Sequence, residues 1–253
     1  MWLDGPARGV FARRLPGLAP LPDPPDPAGF DLVLCGSSGG ADHERVLVRA
    51  ARDAGVRSVV WLDHWVNYAA RFDVLPDELW VCDEHAARIA RETVPGPPVI
   101  VRGNPYLEDA AAEVRALEGP RGALERILYV TEPTTEVAAR ATGDPLGWGY
   151  DERDALRRYL ERRPAGEVRV RRHPAEPPEK YAPLLDEFGV EASAGTTLAE
   201  DIAWADTVAG CDTMAMVVAL AAGRRVISVI PPGGRPLTLP FGEIERLCAD
   251  GKS

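Results

Sequence analysis

Three short stretches hold residue types that could do chemistry. Trp61-Leu62-Asp63-His64-Trp65 places a carboxylate and an imidazole between two tryptophans at the end of an apolar run. Asp63 has the chemistry of a general base toward a hydroxyl, and His64 could share or take that role. Tryptophan is costly to expose and often lines sugar or base pockets. The plainer alternative is that Asp63 caps a following helix and both tryptophans are core. Asn67 and Arg71 lie four and eight residues beyond Asp63, so a helix there would put them on one face.

Arg171-Arg172-His173-Pro174 is the second stretch. Pro174 restricts His173 to extended backbone and stops a strand. The imidazole is then held at the strand end, where it could donate to a phosphate, with Arg172 beside it. Thr131-Glu132-Pro133 has the same form, and Glu132 could accept from a base or ribose hydroxyl or simply face solvent.

The third stretch, Gly210-Cys211-Asp212-Thr213-Met214, sits in a strand, turn, helix, strand unit spanning Asp201 to Pro232. Such a unit aims free helix N–H groups out of the carboxyl edge of a sheet, where α/β folds bind phosphates. An ordinary buried unit with no ligand has the same pattern. Gly36-Ser37-Ser38-Gly39-Gly40 also follows an apolar run, and its glycines and hydroxyls suit either a ligand loop or a plain turn. It lacks the lysine of a nucleotide-triphosphate loop and the spacing of a dinucleotide fingerprint. Asp83-Glu84-His85 reads as a helix start with dipole-favoured acids rather than as a catalytic group.

These stretches need strands that end in line. Residues 1–29 are proline- and glycine-rich, with Val10 to Leu15 as a short edge strand. Apolar runs at 31–35, 59–62, 78–82 and 99–101 alternate with helical patterns at 43–54 and 84–93. After an Ala-rich helix at 106–117, strands are expected at 127–130, 168–171, 207–210 and 226–230. Helices are expected at 151–162, 181–188, 198–204 and 214–222. Strands alternating with helices predict an α/β fold with parallel sheets. The pattern divides into two Rossmann-like lobes, residues 1–118 and 119–253.

The composition narrows the function classes. With 253 residues, 45% of them hydrophobic, the chain can bury a large core or two small ones. A net charge of −10 argues against a broad nucleic-acid face, although Arg169 to Arg172 and Arg224-Arg225 could serve a small anion. Cys35, Cys82, Cys211 and Cys248 show neither zinc spacing nor disulfide density, and Cys35 and Cys82 read as core. No apolar run reaches the ~18–20 residues that span a bilayer. With no signal core in the first 30 residues, the expected location is the cytoplasm. Peripheral membrane association and homo-oligomerisation stay open.

In this order, the pieces resemble GT-B glycosyltransferases. Gly103-Asn104-Pro105 is similar to the Gly-Asn-Pro that closes the N-terminal lobe in several such families. His173-Pro174 resembles the His-Pro motif of bacterial sialyltransferases and Kdo transferases, which use CMP-activated sugars. The resemblance implies that His173 contacts the donor phosphate, and that Asp212-Thr213 and Met214 stand where a hydroxyl pair at a helix start holds it. It also implies an N-terminal-lobe aspartate as base, which Asp63 matches by location.

Asp212 departs from that pattern. A carboxylate beside a phosphate is repulsive unless a cation or proton intervenes, or Asp212 caps its helix and leaves Thr213 and backbone N–H groups for the ligand. The chain is also short for this fold, with a reduced N-terminal lobe that lacks the first strands, as in a reduced form, a fragment or an oligomer. The resemblance implies transfer from a nucleotide-sugar, CMP-sugar favoured, to a glycan or small-molecule hydroxyl. Helix N–H groups and Arg172 would neutralise the leaving phosphate, so no metal or other cofactor is expected. Two other classes fit the same residues: a sugar-nucleotide epimerase or hydrolase or a polyol-phosphate transferase, and a non-catalytic nucleotide-sugar-binding or scaffold protein.

Overall fold

The computed structural model describes residues 1–3, 7–37, 42–119, 123, 125–162 and 164–247. Ser38, Gly39, Gly40 and Cys248 lie outside the described residues. The chain forms an α/β fold of two compact units that divide between Gly103 and Asn104.

The first unit runs α1 (Ala7–Arg14), β1 (Leu32–Cys35), α2 (His43–Asp53), β2 (Arg57–Leu62), β3 (Glu78–Val81), α3 (Glu84–Thr93) and β4 (Val99–Val101). Its sheet is parallel, in the order β1-β2-β3-β4. Val60, Leu62, Leu79 and Val81 are buried, as are Val48 and Ala51 of α2 and Ala86, Ala87 and Ala90 of α3. Each fully buried Val or Leu stabilises the unit by about 1.5–3 kcal/mol relative to exposure. Residues 7–14 are helical, not the edge strand expected over Val10 to Leu15. The segment buries no residue, so tertiary packing supplies no reason for extended alternation, and its alanines and arginines favour helix.

The second unit runs α4 (Pro105–Ala116), β5 (Arg126–Val130), α5 (Thr134–Thr142), α6 (Glu152–Glu161), β6 (Glu167–Arg171), α7 (Ala182–Phe188) and β7 (Glu191–Ala192). It continues with α8 (Leu198–Trp204), β8 (Thr207–Gly210), α9 (Met214–Ala221), β9 (Arg225–Ser228) and β10 (Glu245–Arg246). The expected boundary at 118/119 places α4 with the first lobe. In the structure α4 packs on α8 and α9, burying Ala111 and Val114, and so counts with the second unit. Asn104 caps α4, accepting from the Leu107 N–H at 3.2 Å.

The second sheet is parallel, in the order β10-β9-β8-β5-β6-β7. The chain lays β6 and β7 on one side of β5, then returns to lay β8, β9 and β10 on the other. Order therefore reverses between β5 and β8. In open α/β sheets the crevice outside the carboxyl ends of two such strands is where ligands bind. The two strands are tightly apposed there. A Cβ on Gly210 would lie 2.9 Å from Val130 Cγ2 and 3.0 Å from the Val130 carbonyl oxygen, so only glycine fits.

Candidate functional site

The reversal puts the loops after β5 and β8 side by side. Glu132 follows β5, and its Oε1 accepts the backbone N–H of Asp212, at the end of β8, at 3.2 Å. The same oxygen accepts the Tyr150 hydroxyl at 3.2 Å. Burial, and next the nearby Asp212 carboxylate, push the Glu132 pKa up to about 7.

Asp212 does not cap α9. Thr213 does, its Oγ1 accepting the Ala215 N–H at 3.4 Å. The Asp212 side chain is only 1% exposed. Its Oδ2 accepts from Arg235 Nη2 at 3.2 Å, Thr238 N at 3.2 Å and Thr238 Oγ1 at 2.8 Å. Its Oδ1 is buried with no hydrogen-bond partner. A cation therefore stands beside the carboxylate that departs from the hydroxyl pattern.

Arg235 is itself fixed. Its guanidinium carbon lies 3.5 Å over the Trp148 ring, and its backbone N–H donates to the Trp148 carbonyl at 2.8 Å. The two loops meet without clearance: a Cβ on Gly149, at φ +82°, would run into the Gly233 carbonyl oxygen.

On the other side of β5, His173 ends β6. Its backbone N–H donates to Thr131 Oγ1 at 2.9 Å and to Glu176 Oε2 at 3.1 Å. Its Nδ1 accepts the Ala175 N–H at 3.1 Å. That bond makes Nδ1 the acceptor and leaves Nε2 as the nitrogen that carries the hydrogen. Arg172 donates to the carbonyls of His173 and Glu176, so its guanidinium holds this loop, and Pro174 is exposed at its tip.

Beneath the loop, Glu176 takes the Tyr181 hydroxyl at 2.6 Å and the Thr131 hydroxyl. Lys180 Nζ lies 2.9 Å from Glu176, 3.0 Å from Glu136 and in contact with Glu152. Glu152 in turn accepts the Thr135 N–H and hydroxyl, each at 2.9 Å. Burial opposes a charge on Lys180, but its bonds to Glu152, Glu176 and Glu136 hold its pKa above the usual range. This buried network joins the starts of α5 and α6 to the His173 loop.

The first unit gathers less. Asp63 and His64 follow β2, with side chains 53% and 45% exposed and 3.8 Å apart. No α-helix follows them. Asn67 takes a left-handed φ of 60° and Ala69–Arg71 form a single 3-10 turn, so the expected helical face of Asn67 and Arg71 does not exist and Asp63 caps nothing. Arg71 instead reaches Ser37, donating to its carbonyl at 2.6 Å and its Oγ at 3.1 Å. Trp65 is buried and donates through Nε1 to Asp83 at 2.9 Å. Asp83 also caps α3, accepting from the Ala86 N–H at 2.7 Å. Trp65 and Asp83 are thus structural, whereas Trp61 is half-buried, edge to face with Trp80.

Cys35 and Cys82 are buried, and burial pushes their thiols up to about 11 and about 12. Among the described residues, no group of three His, Cys, Asp or Glu side chains converges to hold a metal ion. No helix among them is long and apolar enough to cross a membrane.

Sequence reasoning missed Tyr150, Trp148, Lys180, Glu176, Arg235 and Thr238. Arg235 stands in a Gly-Gly-Arg turn just after an apolar strand, a signal that could have drawn attention to it. The others have no local signature, because their roles come from loops packed together by the sheet.

No protein-family model matches the chain, and no curated protein matches it. Among solved structures it is similar to the beta Kdo 2,7 transferase of Thermosulfurimonas dismutans KpsC. The TM-score is 0.42 and the identity 15%, over 87% of this chain and 84% of that one. It is also similar to the beta Kdo 2,4 transferase of the same KpsC, with a TM-score of 0.38 and 13% identity over 86% and 84%.

Proposed function

We propose that this protein is a glycosyltransferase that moves a sugar from a nucleotide-activated donor, CMP-sugar favoured, to a hydroxyl of a glycan or small molecule. The observation that carries the reading is the order reversal between β5 and β8. It brings Glu132, Asp212 and the Thr213-capped start of α9 to one crevice, with His173 on the adjacent strand. The motif resemblance narrows the ligand from an anion in general to a nucleotide-sugar.

In this reading the donor phosphate meets the first N–H group of α9, at Met214, with the Thr213 hydroxyl and His173 Nε2–H as further donors. Charge developing on the leaving phosphate is stabilised by these groups, with no metal required, and Arg172 contributes through the His173 loop that its guanidinium holds. Asp63 takes the acceptor proton as the hydroxyl attacks the anomeric carbon directly. His64, beside it, is the alternative base.

A second reading is a nucleotide-sugar-binding protein without transfer. It is favoured by one observation: Asp63 and His64 stand half-exposed on a sheet with no order reversal among its described strands. Thermal shift with CMP, CDP, UDP and GDP tests the donor site, since a ligand of the folded state must raise the melting temperature. If none of the four does so, the donor-site reading fails. If a nucleotide binds and Asp63→Ala leaves turnover unchanged, the base is elsewhere. If a nucleotide binds and neither transfer nor hydrolysis of its sugar derivative occurs, the second reading stands.

A further inference from the structure

The crevice between β5 and β8 holds two carboxyl groups, Glu132 and Asp212, at the helix start to which an anion is assigned. Arg235 is the cation that faces both. With both carboxyls ionised the trio is net negative, a poor place for a phosphate. Asp212 offers a buried oxygen, Oδ1, with no donor, although its side chain is 1% exposed. Buried polar atoms are almost always partnered, so such an orphan calls for a hydrogen. Arg235 Nε is likewise buried without a hydrogen-bond partner, and the Arg235 bond to this carboxylate goes to Oδ2, not Oδ1. Glu132 Oε1 is already occupied by the Asp212 N–H and the Tyr150 hydroxyl, which leaves Oε2 to carry one.

We propose that Glu132 and Asp212 hold one proton between them, carried by Glu132, and that this proton keeps the start of α9 open to an anion. The trio is then neutral, and the departure of Asp212 from a hydroxyl residue is compatible with a phosphate site. The proposal rests on the donor-site reading and adds its regulation: anion binding takes up a proton when the pair has lost it.

The groups that face Glu132 pull in both directions, and the net effect favours the proton. Asp212 lies on the turn after β8, and Tyr150 on the loop before α6 donates to Glu132. Tyr129 of β5 and Cys211 are both thiol or phenol groups held protonated by burial. Arg235 on the loop after β9, the Tyr150 hydroxyl and the Asp212 N–H oppose the shift, and burial with the Asp212 carboxylate outweighs them, giving a value of about 7.

The test has two arms. In the ligand-free protein with carbon-13-labelled glutamate, one carboxyl should titrate with a midpoint near 7. That signal should vanish in Glu132→Gln and shift to lower pH in Asp212→Asn. In the second arm, CMP binding is measured from pH 5.5 to 8 in wild type and Glu132→Gln, so that ionisation of CMP itself cancels. A competent form populated at roughly one part in ten at pH 8 weakens apparent affinity about tenfold. Glu132→Gln, a permanent mimic of the protonated form, should therefore bind CMP about tenfold more tightly than wild type at pH 8 and equally at pH 5.5.

No glutamate titrating above about pH 5.5, or identical pH profiles for the two proteins, overturns the proposal. If CMP binds neither protein at any pH, the donor-site reading and the anion linkage fall together. The NMR midpoint then decides separately whether the pair holds a proton. Should Glu132→Gln fail to fold, the wild-type and Asp212→Asn titrations give the same decision.

Discussion

The two units use the same elements and differ in the order of their strands. In the first, β1 to β4 follow one another across the sheet, and the bonds between their ends serve packing: Arg71 reaches Ser37 and Trp65 reaches Asp83, while Asp63 and His64 stand half-exposed. In the second, the return of the chain across β5 brings three strand ends together, and polar side chains there are buried and mutually bonded. Residue types alone marked both places. Topology decides which of them becomes a built site.

The sharpest way to break this contrast is to remove the cation on which the second unit's network closes. Lys180→Met leaves Glu136, Glu152 and Glu176 without their shared counter-ion and should cost about 3–5 kcal/mol in urea unfolding. A loss under about 1 kcal/mol would mean that the network is not what holds the His173 loop.

Next in size is a pH effect. The folded-state pKa of Glu132 is raised to about 7, above its ordinary unfolded value. Below that unfolded value, carboxyl burial carries no ionisation penalty. Between there and about pH 7 the unfolded chain sheds a proton that the fold retains, so stability falls as pH rises, then levels off. Glu132→Gln should remove this loss and be more stable than wild type by about 2–3 kcal/mol at pH 8, with no such gain at pH 4. Thermal melts at the two pH values check the sign.

Ligand binding should separate the units more gently. His173→Ala should weaken CMP binding roughly tenfold, as expected for one lost hydrogen bond to a charged group. Asp63→Ala should leave CMP affinity unchanged and lower only transfer. Equal losses of affinity from both would erase the functional distinction between the units. The smallest effect is expected in the first unit: Arg49→Ala, which removes an exposed 2.8 Å pair with Asp73, should change stability by less than about 0.5 kcal/mol.

Much of this architecture was legible from hydrophobic pattern. The strands at 127–130 and 207–210 and the helices at 84–93 and 198–204 appear within a residue or so of their expected limits. Elements with little buried surface were not legible. Thr134–Thr142 buries only two residues and starts after a proline, and β7 and β10 are two-residue edges too short to carry a period.

The site divides in the same way. Glu132, His173, Asp212 and Thr213 were readable because proline or a turn stops a strand beside each. Arg235, Tyr150 and Lys180 were not, because their partners are distant in sequence and meet only through the strand order. The expected helix after Asp63 failed for a backbone reason, since the left-handed conformation of Asn67 ends any regular run there.

The stacking of Arg235 on Trp148 bears on what a ligand would meet. A free arginine side chain samples many rotamers, and fixing it costs up to about 1.5–2 kcal/mol of conformational entropy. Here the ring on one side and Asp212 on the other confine it, so that ordering is completed when the chain folds. A molecule entering the crevice would find a charge already at rest, and its affinity would not be reduced by having to still it.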